Sequence, residues 1–249
     1  MLRITETIKV LIVVNVLFFV GKLTMPELAD KLFSLYYFEN PNFKFWQPIT
    51  HMFMHGDFMH ILFNMYALWA FGSPLEKMWG RNKFLFFYFS SGIGAALVHT
   101  LVNYYQVHSS FAVLVSSGMT EMNVWELLNI TLQEGSYREV GVLGLDESID
   151  FFTSYNTPAL GASGAVYGVL VAFGLLYPNV ELMLLFFPVP IKAKYFIPVL
   201  ILIDLFSGIT GFSLFGQGIA HWAHIGGAMF GFIMAWYWKK NSFNNKRWN

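Results

Sequence analysis

Six stretches of this chain run for roughly twenty residues with few or no charges, about the length a helix needs to cross a bilayer. They are approximately Ile8–Thr24, Ile49–Gly72, Phe84–Tyr104, Ala159–Tyr177, Tyr195–Gly211 and Ile219–Trp238. Lipid satisfies no backbone N–H or C=O, so such runs must close their hydrogen bonds within helices. Composition agrees: 56% of the 249 residues are hydrophobic and only 12% charged, against roughly 25% charged in soluble domains. The expected fold is an all-α membrane protein, a six-transmembrane-helix bundle in a single polytopic domain over 1–249. Arg3 and Lys9 precede the apolar run from Val10 to Val20 as they would in a signal peptide. Lys22, Leu23 and Thr24 then stand where small residues would mark cleavage, so the first span is expected to be retained.

Charge orients the bundle. With a cytoplasmic N-terminus, the inner side holds Arg3, Lys9, Lys77, Arg81, Lys83, Lys192, Lys194, Lys239, Lys240, Lys246 and Arg247. The outer side holds only Lys22, Lys31, Lys44 and Arg138. The positive-inside rule then puts both termini in the cytoplasm, as suits a bacterial inner membrane. A net charge of zero argues against a nucleic-acid partner. The absence of cysteine excludes disulfides and thiolate metal sites.

Two long connections fall on the outer side. Met25–Pro48 has the apolar pattern of an interfacial loop with an amphipathic helix. The insert, about 106–157, is acidic, with Glu121, Glu126, Glu134, Glu139, Asp146, Glu147 and Asp150 against Arg138 alone. Asn123 followed by Glu126 resembles a capping box, and Val124–Leu132 reads as a short helix. Partial order, as in a lid, is expected of the rest.

Polar side chains inside apolar spans are costly, so those present carry the functional argument. Span two contains His51, His55, Asp57, His60 and Asn64; span four opens Gly161-Ala162-Ser163-Gly164 and continues to Tyr167; span six carries His221, His224, Gly227 and Gly231. In the inferred orientation all three groups lie in the outer halves of their spans. Gly164-x3-Gly168 and Gly227-x3-Gly231 by themselves mean only close helix contact, and a lone serine is ordinarily a packing residue. Glycines on both sides of Ser163 leave its hydroxyl open, however, and a helix N-terminus supplies free N–H groups for a developing oxyanion. Serine needs a base within hydrogen-bond reach. Gly227 and Gly231 share the face of His224 and would let span six approach span four. Tyr167, one turn below Ser163, could pack on an imidazole. His60 and Asn64, four residues apart, could both donate to an oxyanion. By spacing alone His221 or His224 could be the base; the glycine pattern favours His224.

These residues together resemble the rhomboid family of intramembrane serine proteases. The resemblance rests on His55-x4-His60-x3-Asn64, on Gly161-x-Ser163-Gly164 with Tyr167, and on Ala223-His224-x2-Gly227-x3-Gly231. Trp46 and the run Gly72–Gly80 with Glu76 add to it, and it covers roughly 1–105 and 158–238. The resemblance implies hydrolysis of single-span membrane substrates by a Ser163–His224 dyad, without cofactor or metal. It assigns His60, Asn64 and the Ser163 N–H to the oxyanion hole, His55 to a supporting role on the water path, and the base to His224 over His221. Arginine often follows the tryptophan of the first loop in this family; here the residue is Gln47.

Two other readings are weighed. A catalytically inactive relative that binds transmembrane segments would typically have lost the serine or histidine. A bis-histidine haem protein drawing on His51, His55, His60, His221 and His224 would leave the Gly-x-Ser-Gly stretch unexplained. Zinc proteases of the His-Glu-x2-His type are not matched, since Met52 follows His51. Intramembrane aspartyl proteases need two aspartates in their spans, and only Asp204 lies well inside one.

Overall fold

The computed structural model describes residues 3–134, 139–184, 187–212 and 219–241. Arg138, Lys246 and Arg247 of the charge bias lie outside the described residues. The chain is mostly helical. Helix α1 (Glu6–Thr24) and the short α2 (Pro26–Phe33) are followed by α3 (Gln47–Thr50) and a 3-10 turn over His51–Phe53. Next come α4 (Phe58–Ala67), a π-helical turn over Leu68–Gly72, α5 (Ser73–Trp79) and α6 (Arg81–Ser116). Helices α7 (Glu121–Glu134) and α8 (Leu145–Asn156) form the insert, and α9 (Ser163–Leu176) follows. A hairpin of β1 (Glu181–Leu184) and β2 (Phe187–Lys192) leads to α10 (Ala193–Thr210) and α11 (His221–Lys240).

Three of these helices, α1, α6 and α10, are long and apolar enough to cross a membrane; α9 is apolar but only 14 residues long. The second expected span differs most from expectation. Its helix begins at Phe58, not near Ile49, because Asp57 caps it: the Asp57 carboxylate accepts from the His60 backbone N–H at 2.9 Å. His51 and His55 therefore precede that helix and do not lie on it. Helix α6 extends beyond the expected end at Tyr104. Its 36 residues make a rod of about 54 Å, well past a hydrocarbon core of about 30 Å.

That extra length carries the insert. Val107 and Leu114 of α6, Val124 and Leu128 of α7, and Phe151, Phe152 and Tyr155 of α8 form a hydrophobic cluster separate from the main core. The insert is thus a small helical cap with its own core, and α8 was not foreseen. Helix α7 starts two residues before Asn123, whose N–H is accepted by Thr120 Oγ1 at 3.3 Å. Asn123 is accordingly inside the helix rather than its cap. The hairpin was also not foreseen; it pairs Glu181 with Lys192 and Leu182 with Ile191. Pro190 is tolerated in β2 because each strand of a two-stranded hairpin keeps an open edge.

The expected amphipathic helix of the first outer loop is α2. Gln47, fully buried, stitches that loop together. Its Oε1 accepts from the Tyr36 N–H at 3.2 Å, while its Nε2 donates to Asn42 O at 3.0 Å and Lys31 O at 3.1 Å. A neutral amide thus organises the loop at the position where an arginine was the family expectation. At the opposite end, Glu76 caps α1, accepting from the Thr5 hydroxyl and, at 3.3 Å each, from the Thr7 and Ile8 N–H groups.

The centre of the molecule is the contact of α11 with α9 and α6. A Cβ on Gly227 would lie 1.8 Å from Gly164 O, and one on Gly231 would lie 2.4 Å from Gly168 Cα. Backbones this close admit no side chain between them, and the spacing read from the sequence performs the role expected of it.

Candidate active site

Ser163 is the first residue of α9, and the backbone delivers it through Gly161, whose φ is +127°. A side chain at Gly161 would be strained by that φ, and its Cβ would sit 2.8 Å from His60 Nε2. Three backbone hydrogen bonds, two of them in one bridge, hold the entry to α9. Leu35 and Ala159 form an antiparallel bridge, and the Gly161 N–H donates to His51 O at 2.9 Å. His51 therefore serves through its backbone, while its Nδ1 lies 2.9 Å from Gln47 O.

The close approach of α11 puts His224 Nε2 at 2.9 Å from Ser163 Oγ. Tyr167 stacks on the His224 ring with centroids 4.2 Å apart and planes inclined by 12°. On its other side, His224 Nδ1 lies 3.0 Å from Asp204 Oδ1, the residue that sequence reasoning left without a role. Asp204 also takes His221 Nδ1 at 2.6 Å on the same oxygen, and the Tyr167 hydroxyl donates to its Oδ2. His224, not His221, is the histidine hydrogen-bonded to Ser163.

A charged residue at the centre of a membrane helix costs roughly 2.5–3.5 kcal/mol on insertion scales. Hydrogen bonds to a charged group contribute about 1.5–3 kcal/mol each, so the three donors around Asp204 can offset that cost. The carboxylate has a chemical consequence as well. An acceptor at Nδ1 fixes the His224 proton there and leaves the Nε2 lone pair facing the serine, the state a general base requires. The signal that could have found Asp204 was its presence in an apolar run at all.

His60 and Asn64 both lie on α4. His60 Nδ1 accepts from the Gly56 N–H at 3.3 Å, which directs Nε2 toward Gly161 and Ser163. Asn64 donates one amide N–H to His60 O at 2.9 Å and has a second N–H to give. His55 is fully buried behind them, its ring edge-to-face with His60 at 5.0 Å. Neither ring nitrogen of His55 has a hydrogen-bond partner among the described residues. Gly164 meets α6 at Ala95, where an added Cβ would fall 2.4 Å from the alanine methyl. The bis-histidine arrangement gains no support from these positions, since His221 and His224 share a carboxylate and His51 bonds a carbonyl.

The fold and site define a helical integral membrane protein in which a serine and a histidine from separate helices are hydrogen-bonded in an apolar interior. The sequence from 42 to 241 matches the model of the rhomboid domain, and the chain belongs to the rhomboid family. It is 28% identical to "Rhomboid protein 1, mitochondrial" of Saccharomyces cerevisiae, over 76% of this chain and 40% of that protein. It is 27% identical to "Rhomboid protease AarA" of Providencia stuartii, over 76% of this chain and 54% of that one. A third relative, "Presenilin-associated rhomboid-like protein, mitochondrial" of Homo sapiens, is 27% identical over 74% of this chain and 35% of its own length. The chain spans about half or less of the length of these curated relatives. They include mitochondrial proteins beside a bacterial one, so the bacterial inner membrane expected from charge bias gains no support from them.

Proposed function

We propose that this protein is an intramembrane serine endopeptidase that cleaves single-span membrane proteins. The observation that carries the reading is the 2.9 Å bond between His224 Nε2 and Ser163 Oγ, with His224 oriented from behind by Asp204. Ser163 attacks the scissile carbonyl as His224 takes its proton. The oxyanion forms beside the N-terminus of α9, within reach of the Ser163 N–H, His60 Nε2 and the second N–H of Asn64. The proton passes from His224 to the leaving amine. Water then enters, loses a proton to His224 and adds to the acyl carbon; the bond to Ser163 Oγ breaks, His224 returns the proton to that oxygen, and the carboxylic acid product leaves. No cofactor or metal takes part in this scheme.

In this reading the chain has six spans with both termini inside, and the chemistry faces the outer side. The substrate helix arrives from lipid between α4 and α10. It must unwind locally, because an intact helix hides its carbonyls in hydrogen bonds. An apolar pocket lined by Val199, Leu202, Ile203, Phe206 and Phe212 lies along α10, with Ser207, one turn beyond Asp204, also lining it.

The test is incubation of the purified protein, in bilayers, with a set of single-span substrates. Cleavage by the wild type that disappears in Ser163→Ala supports the reading. Substrate binding without cleavage would favour the inactive, segment-binding relative.

A further inference from the structure

One histidine is enough to serve a nucleophilic serine, yet two converge on Asp204. His221 Nδ1 and His224 Nδ1 lie 2.6 and 3.0 Å from the same carboxylate oxygen. The three residues offer ligand atoms that all fall within 4.8 Å of one another. Two imidazoles and a carboxylate are the donor set of many zinc sites. Zinc bonds of about 2.0–2.1 Å in a tetrahedron separate neighbouring ligand atoms by about 3.3 Å. The two nitrogen–carboxylate separations would each open by less than about 1 Å to admit the ion, and the two imidazoles, already within 4.8 Å of each other, would settle to the same spacing. Helices α10 and α11 supply all three ligands, and the side chains of His221 and His224 keep 10% and 12% of their surface exposed. The site is therefore not sealed on every side.

We infer that Asp204, His221 and His224 form a binding site for a borderline divalent cation such as Zn2+, and that occupancy switches the serine site off. This rests on the protease reading for its consequence but not for the binding itself. A neutral imidazole has one lone pair and one N–H. With the cation on His224 Nδ1, the ring proton must sit on Nε2, which then faces Ser163 as a donor and cannot accept the hydroxyl proton. The cation also takes the carboxylate charge that would stabilise the imidazolium. No bond to the serine is needed for this inhibition, and withdrawing the ion restores the original tautomer.

The experiment titrates Zn2+ into wild type, Ser163→Ala and His221→Asn, with calorimetry for binding and substrate cleavage for activity. The inference expects one zinc per chain in both wild type and Ser163→Ala, and saturable loss of wild-type cleavage reversed by EDTA. Mg2+, which prefers oxygen ligands, should leave cleavage unchanged at the same concentration. Loss of an outer-shell partner already weakens metal sites by roughly 10- to 100-fold, and removal of the ligand in His221→Asn should weaken zinc binding by at least that factor. Calorimetry on a second variant, His221→Gln, replaces this arm if His221→Asn does not fold. Absence of binding to Ser163→Ala, or an affinity unchanged by loss of His221, would overturn the inference. If the wild type cleaves nothing, the protease reading fails, while the calorimetric arm still decides the zinc site. If the wild type cleaves but zinc does not inhibit, only the present inference fails.

Discussion

Asp204→Asn is the most informative single change at the scale of one residue. An amide in place of the carboxylate can donate to His224 Nδ1, which moves the ring proton to Nε2 and removes the base. The side chain keeps its size, so packing of α10 against α11 should survive. The expected result is a fall in kcat of about 10^4, the cost of a mis-set tautomer in a serine–histidine–aspartate arrangement, with KM and the unfolding midpoint little changed. A comparable fall in the unfolding midpoint would instead assign Asp204 to structure. Ser163 and His224 were legible in the sequence because glycines at i+3 and i+7 mark a face that only a close helix uses. Asp204 was not, because the partner of a base carries no periodic signature. Its one cue was an unexplained charge in an apolar run, which was set aside when a second aspartate was missing.

At the scale of elements, the approach of α11 to α9 decides whether the site exists. Alanine ordinarily improves a helix by about 1 kcal/mol over glycine. Gly227→Ala is nevertheless expected to destabilise, because its Cβ would lie 1.8 Å from Gly164 O, and overpacking costs about 1–3 kcal/mol or more. Gly21→Ala is the control. Nothing lies within 4 Å of a Cβ at that position of α1, so it should be neutral or slightly stabilising. Thermal unfolding of both variants in detergent measures the contrast, and Gly227→Ala should also slow cleavage by moving His224 off Ser163. Element boundaries were harder to read than existence. The apolar run from Ile49 is continuous, yet the carboxylate of Asp57 offers the chain a cap at His60 that periodicity cannot show. The far end of α6 and the whole of α8 were missed for a related reason: their apolar faces answer one another, and not the lipid.

For the whole molecule, orientation is what joins the site to a substrate. The charge bias of the sequence predicts the cap outside and the end of α11 inside. The chain contains no cysteine, so single introduced thiols report position without background. Met122, 75% exposed on α7, and Lys240, at the end of α11, are the positions of choice. In intact cells or organelles, Met122→Cys should react with a membrane-impermeant maleimide from the outer side, and Lys240→Cys only after permeabilisation. The opposite pattern would invert the topology and turn the site to the inner face. The helical membrane character was legible from run lengths; of the six spans expected, α1, α6 and α10 are long and apolar enough to cross a membrane. The cap was legible only as an acidic insert, since its core is built from side chains of α6, α7 and α8 far apart in the chain.

The reactivity of Ser163 itself can be read without knowing any substrate. A fluorophosphonate is attacked only by a serine whose proton is being withdrawn, and mass spectrometry locates the adduct. The wild type should carry one adduct, on Ser163, formed far faster than in His224→Ala. An adduct on another residue, or one on Ser163 that forms equally fast without His224, would contradict the assignment of this pair as nucleophile and base.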